Sequence, residues 1–182
     1  MKKTVTLGDK KFKPFISQEK ILGVIDQVAE KINADYVDTE KVPIILCVLN
    51  GSIPFVGHLL PKLKFNCELV SIKLSSYVGT ESSGDVKTIM GLTSSVEGRD
   101  IIICEDIVET GRTIQELKDI LHKNGAAEVK ICTMLFKPDC YESERPLDYV
   151  GLVIDNDFIV GFGLDYNEAG RNLKDIYVID ES

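Results

Sequence analysis

Apolar residues in the first fifth of the chain recur at helical spacing. Ile21, Val24, Ile25, Val28 and Ile32 fall on one face of a 3.6-residue repeat. Ser17 stands where an N-cap oxygen is wanted, with Glu19 in the first turn, so an amphipathic helix is predicted here. Val42 to Leu49 is a short, continuous apolar run, the pattern of a strand buried on both faces. It stops at Asn50-Gly51-Ser52. Ser52 is placed to cap a short helix with Pro54 in its first turn, and Pro61 to end it. A further strand is expected over Cys67 to Leu74.

From Ser75 to Arg99 the pattern changes. Gly, Ser, Thr and acids dominate, and only Val86 to Met90 looks strand-like. A long polar stretch inside a compact domain is expected to be a functional loop or lid. Asp100 to Cys104 is another buried strand, followed by a polar turn. Ile114, Leu117, Ile120 and Leu121 then mark one face of a helix that Asn124-Gly125 stops. Val129 to Phe136 is the next strand, and Tyr149 to Ile154, Phe158 to Phe162 and Ile176 to Ile179 are shorter extended runs. Strands alternate with helices, and the central strands are apolar throughout. This predicts an α/β domain with a mostly parallel central sheet flanked by helices. In such sheets the ligand crevice lies beyond the carboxyl ends of the strands, so the residues just after each strand carry the functional information.

Composition narrows the class. The chain has 182 residues, the size of one domain, with 44% hydrophobic and 27% charged residues, a globular balance. The net charge of −8 argues against general nucleic-acid binding, and a small phosphate ligand would need local cations or a metal. No apolar run approaches a membrane span, and Thr4 to Phe15 is polar and basic, unlike a signal-peptide core. The five cysteines are odd in number and none are spaced CxxC, so neither a disulfide framework nor a zinc site is indicated. A reduced, cytoplasmic protein is expected.

The sharpest local feature is Glu105-Asp106-Ile107-Val108-Glu109-Thr110-Gly111-Arg112-Thr113. Amides at a helix N-terminus, the Thr110 and Thr113 hydroxyls and a permissive Gly111 suit a phosphate. The paired carboxylates upstream suit ribose hydroxyls or a magnesium ion. The plainer alternative is that the acids favour the helix dipole and the threonines cap it.

This stretch resembles the phosphoribosyl-pyrophosphate (PRPP) signature of the type I phosphoribosyltransferases. More narrowly, the chain resembles the hypoxanthine-guanine phosphoribosyltransferases from about Ile44 to Asp180. Leu49-Asn50-Gly51-Ser52 resembles their pyrophosphate loop, Ser75-Ser76-Tyr77 the opening of their lid, and Cys132 to Pro138 their purine-facing strand and lysine. Asp157 to Tyr166 resembles their base-stacking and metal segment, with Arg171-Asn172-Leu173 at the family's spacing. Several separate motifs in the right order are more specific than any one.

The resemblance implies one domain over residues 1–182. A small hood would form from the N-terminal segment and about residues 155–182, with a long mobile lid loop over about 75–99. It implies Mg2+-dependent transfer of 5-phosphoribosyl from PRPP to N9 of hypoxanthine or guanine, giving IMP or GMP in purine salvage. By the same resemblance, Leu49, Asn50, Gly51 and Arg171 hold pyrophosphate, with a cis peptide expected at Leu49-Asn50. Glu105 and Asp106 take the ribose hydroxyls, and Glu109, Thr110, Gly111, Arg112 and Thr113, with Ile107 and Val108, cradle the nucleotide phosphate. Lys137, Phe158, Ile159 and Asp165 meet the purine. Asp165, with Glu105 and Asp106, serves the metal, and the Ser76-Tyr77 lid excludes water. A homodimer or homotetramer is also implied.

Two positions depart from the family. Glu109 stands where an Asp is usual as base toward the purine, and Asn50 where Lys or Arg is frequent. Three other readings compete. One is a phosphoribosyltransferase for xanthine or adenine, another a non-enzymatic PRPP sensor, and the third a phosphoacceptor domain. Lys137, the retained lid pair and Asp165 favour chemistry on a 6-oxopurine.

Overall fold

The computed structural model describes residues 3–74 and 95–180. Ser76, Tyr77 and the strand expected over Val86–Met90 lie outside the described residues.

The central sheet is built from β3 (Ile44–Leu49), β4 (Glu68–Lys73), β5 (Asp100–Val108), β6 (Glu128–Phe136) and β7 (Tyr149–Val153), in the order β4-β3-β5-β6-β7. All four pairings are parallel. Alternation along each strand explains why the apolar runs are continuous. Ile45, Cys47, Ile102, Cys104, Cys132 and Met134 pack into the core on one face, while Ile44, Leu46, Ile101, Ile103, Val129 and Ile131 pack into the core on the other. Both faces exclude water, so a polar side chain inside such a run needs a partner: Thr133 of β6 is fully buried and its hydroxyl donates to Leu135 O at 2.7 Å.

Helix α1 (Gln18–Tyr36) covers the first face with Ile21, Ile25, Val28 and Ile32. Ser17 Oγ accepts from Lys20 N at 3.3 Å, the predicted cap. One buried polar residue of α1 is fully used. Asn33 Nδ2 donates to Lys62 O at 2.9 Å, and its Oδ1 accepts from Lys64 N at 2.7 Å. These bonds tie α1 to the turn after α2 (Ile53–Leu59). On the opposite face, α3 (Arg112–Lys123) buries Ile114, Leu117 and Leu121.

Three sequence expectations change. Ser52 does not cap α2: its hydroxyl donates to Val48 O at 2.6 Å and lies 3.1 Å from Cys47 Sγ. Strand β5 does not stop at Cys104 but runs to Val108, because Ile107 and Val108 still pair with Leu135 and Phe136. The acids Glu105 and Asp106 therefore sit within the last turn of a strand rather than after it.

The third change concerns the N-terminus, where the polar, basic stretch folds as a hairpin. β1 (Val5–Leu7) and β2 (Lys10–Ile16) pair antiparallel around Gly8-Asp9, with Gly8 at φ 57°. They join β8 (Ile159–Val160) and β9 (Ile176–Ile179) in a second sheet, ordered β1-β2-β9-β8. Phe12 and Ile16 are the buried side chains of β2, and Pro14 falls beyond the β1 pairing, where its missing N–H costs nothing. This sheet is the hood. Of the Phe158–Phe162 run, only Ile159 and Val160 are strand.

Among the described residues, no helix is long and apolar enough to cross a membrane.

Candidate active site

Three strands of the parallel sheet end at one crevice. β3 delivers Leu49-Asn50-Gly51, β5 delivers Glu105 to Thr110, and β6 delivers Lys137. The Leu49–Asn50 peptide is cis, as expected.

Gly51 is where the first two loops touch. A Cβ at Gly51 would lie 1.8 Å from Asp106 Oδ2, so only a glycine lets the loop lie against that carboxylate. A strap from the hood closes on the other side. Gly163 has φ 103°, and a Cβ there would lie 1.9 Å from Gly51 O. Arg171 fixes the strap: its Nη1 donates to Gly163 O at 2.8 Å and its Nη2 lies 2.7 Å from Asp165 Oδ1. Asp165 Oδ2 accepts from Glu168 N at 2.7 Å. Asp106, Gly51, Gly163, Arg171 and Asp165 thus form one continuous contact path.

The β5 acids are held in an unfavourable setting for charge. Glu105 Oε2 is buried with no hydrogen-bond partner among the described residues. Burial, then the neighbouring Asp106 charge, pushes the Glu105 carboxyl well above the usual range. Burial also pushes Asp106 up to about 6, although the Ile107 amide at 3.0 Å and the Arg171 charge favour its ionised form. Two adjacent, under-neutralised carboxylates are what a cation or ribose hydroxyls would relieve. Among the described residues, no three His, Cys, Asp or Glu side chains converge on a metal position. The residues present therefore fit magnesium held by one or two carboxylates and substrate oxygens, not a protein cage.

Beside these acids lies a cavity of about 120 Å³, lined by Glu105, Ile107, Val108, Glu109, Thr110, Gly111, Thr113 and Ile114. Gly111, with φ 76°, is the N-cap residue of α3 and supplies no side-chain cap. First-turn amides of a helix have no intrahelical partner; Arg112 N donates to Thr110 Oγ1 at 3.4 Å, and the amides of Thr113 and Ile114, two residues that line the cavity, follow it at this end of α3. The Arg112 side chain turns away to pair with Glu142, leaving only its backbone to the loop.

At the far end, Lys137 is 4% exposed and its ammonium pairs with Glu109. It is not the solvated strand end that a lysine before Pro138 suggests. Phe158 is 43% exposed, not core. Its ring is propped by Phe12 (6.1 Å between centroids) and edge-on by Tyr166 (5.9 Å), with Lys10 Nζ 5.6 Å from its centroid. Ile159 sends its side chain into the core.

Sequence reasoning missed Lys10 and Phe12, and gave Gly163 and Tyr166 only as members of the Asp157–Tyr166 segment, with no role of their own. The Gly161-Phe162-Gly163 spacing was a usable signal for the strap. Phe12 had none, because it comes from a hairpin that the polar pattern hid, whereas Tyr166 closes the Asp157–Tyr166 segment already likened to the family's base-stacking and metal segment.

Comparison with known proteins agrees with this geometry. The phosphoribosyl transferase domain model matches residues 16–167. A hypoxanthine-guanine phosphoribosyltransferase of Lactococcus lactis is 42% identical over 92% of this chain and 90% of its own. One from Streptococcus thermophilus is 39% identical over 93% of each. The crystal structure of a Staphylococcus aureus hypoxanthine phosphoribosyltransferase superposes with a TM-score of 0.84 at 32% identity, covering 92% of this chain and 91% of that one. Sequence, fold and crevice agree: the chain belongs to the phosphoribosyltransferase family and groups there with the hypoxanthine-guanine enzymes.

Proposed function

We propose that this phosphoribosyltransferase moves the 5-phosphoribosyl group of PRPP to N9 of hypoxanthine or guanine. The bond from the anomeric carbon to the pyrophosphate oxygen breaks, a bond to N9 forms, and the purine loses a proton. The observation that carries this reading is the buried Lys137 cation at the end of the phosphate cavity. A fixed cationic donor there suits the O6 acceptor of a 6-oxopurine and leaves a 6-amino group without a match.

The remaining roles belong to the same proposal. Amides and hydroxyls of Thr110 to Thr113 hold the 5-phosphate, and the Glu105 and Asp106 carboxylates take the ribose hydroxyls. The Asn50-Gly51 backbone and Arg171 meet pyrophosphate. Phe158 supports the purine ring, and Glu109 accepts the purine proton as Lys137 turns from it to O6. Asp165, with Glu105 or Asp106, would hold magnesium, which when bound neutralises charge on the departing pyrophosphate.

The test is base-dependent release of pyrophosphate from PRPP, with magnesium present or chelated. Release with hypoxanthine or guanine, lost on chelation and absent with adenine, supports the proposal. Equal release with adenine refutes the Lys137 assignment.

A further inference from the structure

Residues 137–142, which follow β6, run alongside residues 108–112 of the phosphate loop. Lys137 N donates to Val108 O at 3.0 Å, and Glu142 N donates to Thr110 O at 3.1 Å. Between these two bonds the ring of Tyr141 lies on Gly111. A Cβ at Gly111 would come within 2.2 Å of Tyr141 Cε2 and 2.8 Å of Cδ2, so ring and backbone are in direct contact. The ring is itself braced edge-on by Phe136, 5.2 Å between centroids. Its hydroxyl accepts from Gln115 Nε2 at 2.7 Å and donates to Arg145 O at 2.7 Å. Gln115 is buried in the first turn of α3.

One side chain therefore spans both the N-cap glycine and the first turn of the helix whose amides face the cavity. Gly111 adopts a left-handed conformation and offers no cap of its own. Glycine is the residue with most backbone freedom to lose, so something outside the loop must hold it. Tyr141 is not among the residues that line the cavity, so it acts through the loop and not on a ligand.

We propose that Tyr141 is a positioning residue for the phosphate loop: its ring holds Gly111 and the first turn of α3 so that their donors converge on a phosphate monoester dianion. That the anion is the 5-phosphate of PRPP rests on the function proposed above. A merely structural tyrosine would lower stability and impair both substrates alike. A positioning residue raises the KM for PRPP and spares that for the base.

The test compares the wild-type protein with Tyr141→Ala and Tyr141→Phe. Calorimetric binding of ribose 5-phosphate, KM for PRPP and for hypoxanthine, and thermal midpoint are read together. In Tyr141→Ala, ribose 5-phosphate affinity falls about tenfold and KM for PRPP rises alike, the loss of one good contact. KM for hypoxanthine stays within about twofold, because Lys137 and Phe158 are untouched. Tyr141→Phe, which keeps the ring on Gly111, recovers most of the loss. Should the alanine variant not fold, Tyr141→Leu, with apolar volume but no flat face, gives the same comparison. The proposal is overturned if the wild type does not bind ribose 5-phosphate or if the variant binds it unchanged. It is also overturned if both KM values rise together, or if Tyr141→Phe is as impaired as Tyr141→Ala. If no base is converted, yet ribose 5-phosphate binds and Tyr141→Ala loses it, the proposal stands and the transferase reading falls.

Discussion

Lys137 and Glu109 face each other across the ends of β6 and β5, and their charged groups pair at the rim of the cavity. The two differ in setting: the Lys137 side chain is 5% exposed and that of Glu109 51%. A buried ammonium needs an acceptor at all times, whereas an exposed carboxylate has water. Glu109 supplies that acceptor in the structure, and under the proposed function O6 of the purine takes its place.

Lys137→Met keeps the stem and removes the charge. It is expected to lower kcat/KM for hypoxanthine by about tenfold to a hundredfold, the worth of a charged hydrogen bond. Discrimination against adenine should shrink in the same variant. Parallel steady-state kinetics with the two bases check both outcomes.

Phe158 lies on the hood with much of its ring exposed. Phe158→Ala is expected to raise KM for the base by about tenfold or more, since stacking on a base is worth about 1–3 kcal/mol. The thermal midpoint should barely move, because little apolar area is lost from the core. A large fall in midpoint with unchanged KM would return Phe158 to a packing role.

Gly163→Ala adds one methyl group where Gly51 O already lies, at a φ that side chains rarely adopt. The Cβ must push the strap off the Leu49-Gly51 loop, so under the proposed function KM for PRPP should rise by at least about tenfold, an effect of more than about 1.4 kcal/mol. Arg171 and Asp165 move with the strap, so rescue by more magnesium should be incomplete. Measuring KM for PRPP across magnesium concentrations checks this.

Asp106 is expected to affect activity and stability in opposite directions. Its folded pKa is pushed up to about 6, above the usual carboxylate value of 3.8. A group with a raised folded pKa and an acidic form that favours the fold is no burden below the unfolded value. Its cost appears as pH rises from there and is complete above about 6. Asp106→Asn is therefore expected to stabilise the ligand-free protein at pH 8 by about 1–3 kcal/mol while reducing activity. At pH 4 the gain should vanish. Denaturant midpoints at the two pH values decide it.

Much of this fold was legible because its central strands are buried on both faces. Ile44 to Leu49 is apolar throughout and Val129 to Phe136 is broken only by Lys130 and Thr133, so both stand out as buried strands, and Ser17 marks the start of α1 by its own hydroxyl. The end of β5 was harder, since Glu105 and Asp106 are polar yet remain in the ladder through Ile107 and Val108. The β1–β2 hairpin was hidden for a related reason: it buries few residues, chiefly Phe12 and Ile16, under a run of lysines. In the site, Glu105 to Thr113 could be read because one contiguous segment carries its chemistry. The contacts of Tyr141 with Gly111 and of Gly163 with Gly51 could not, because each joins segments far apart in sequence.

The central claim is that the crevice transfers a 5-phosphoribosyl group to a 6-oxopurine with Glu109 as base. The most direct measurement follows nucleotide formation by absorbance from PRPP, magnesium and hypoxanthine, guanine, xanthine or adenine separately, with wild type beside Glu109→Gln. Turnover of hypoxanthine or guanine, inert adenine, and a kcat lowered about 10²- to 10⁴-fold in the variant are expected. Turnover of adenine, or near-normal kcat in Glu109→Gln, would contradict that claim.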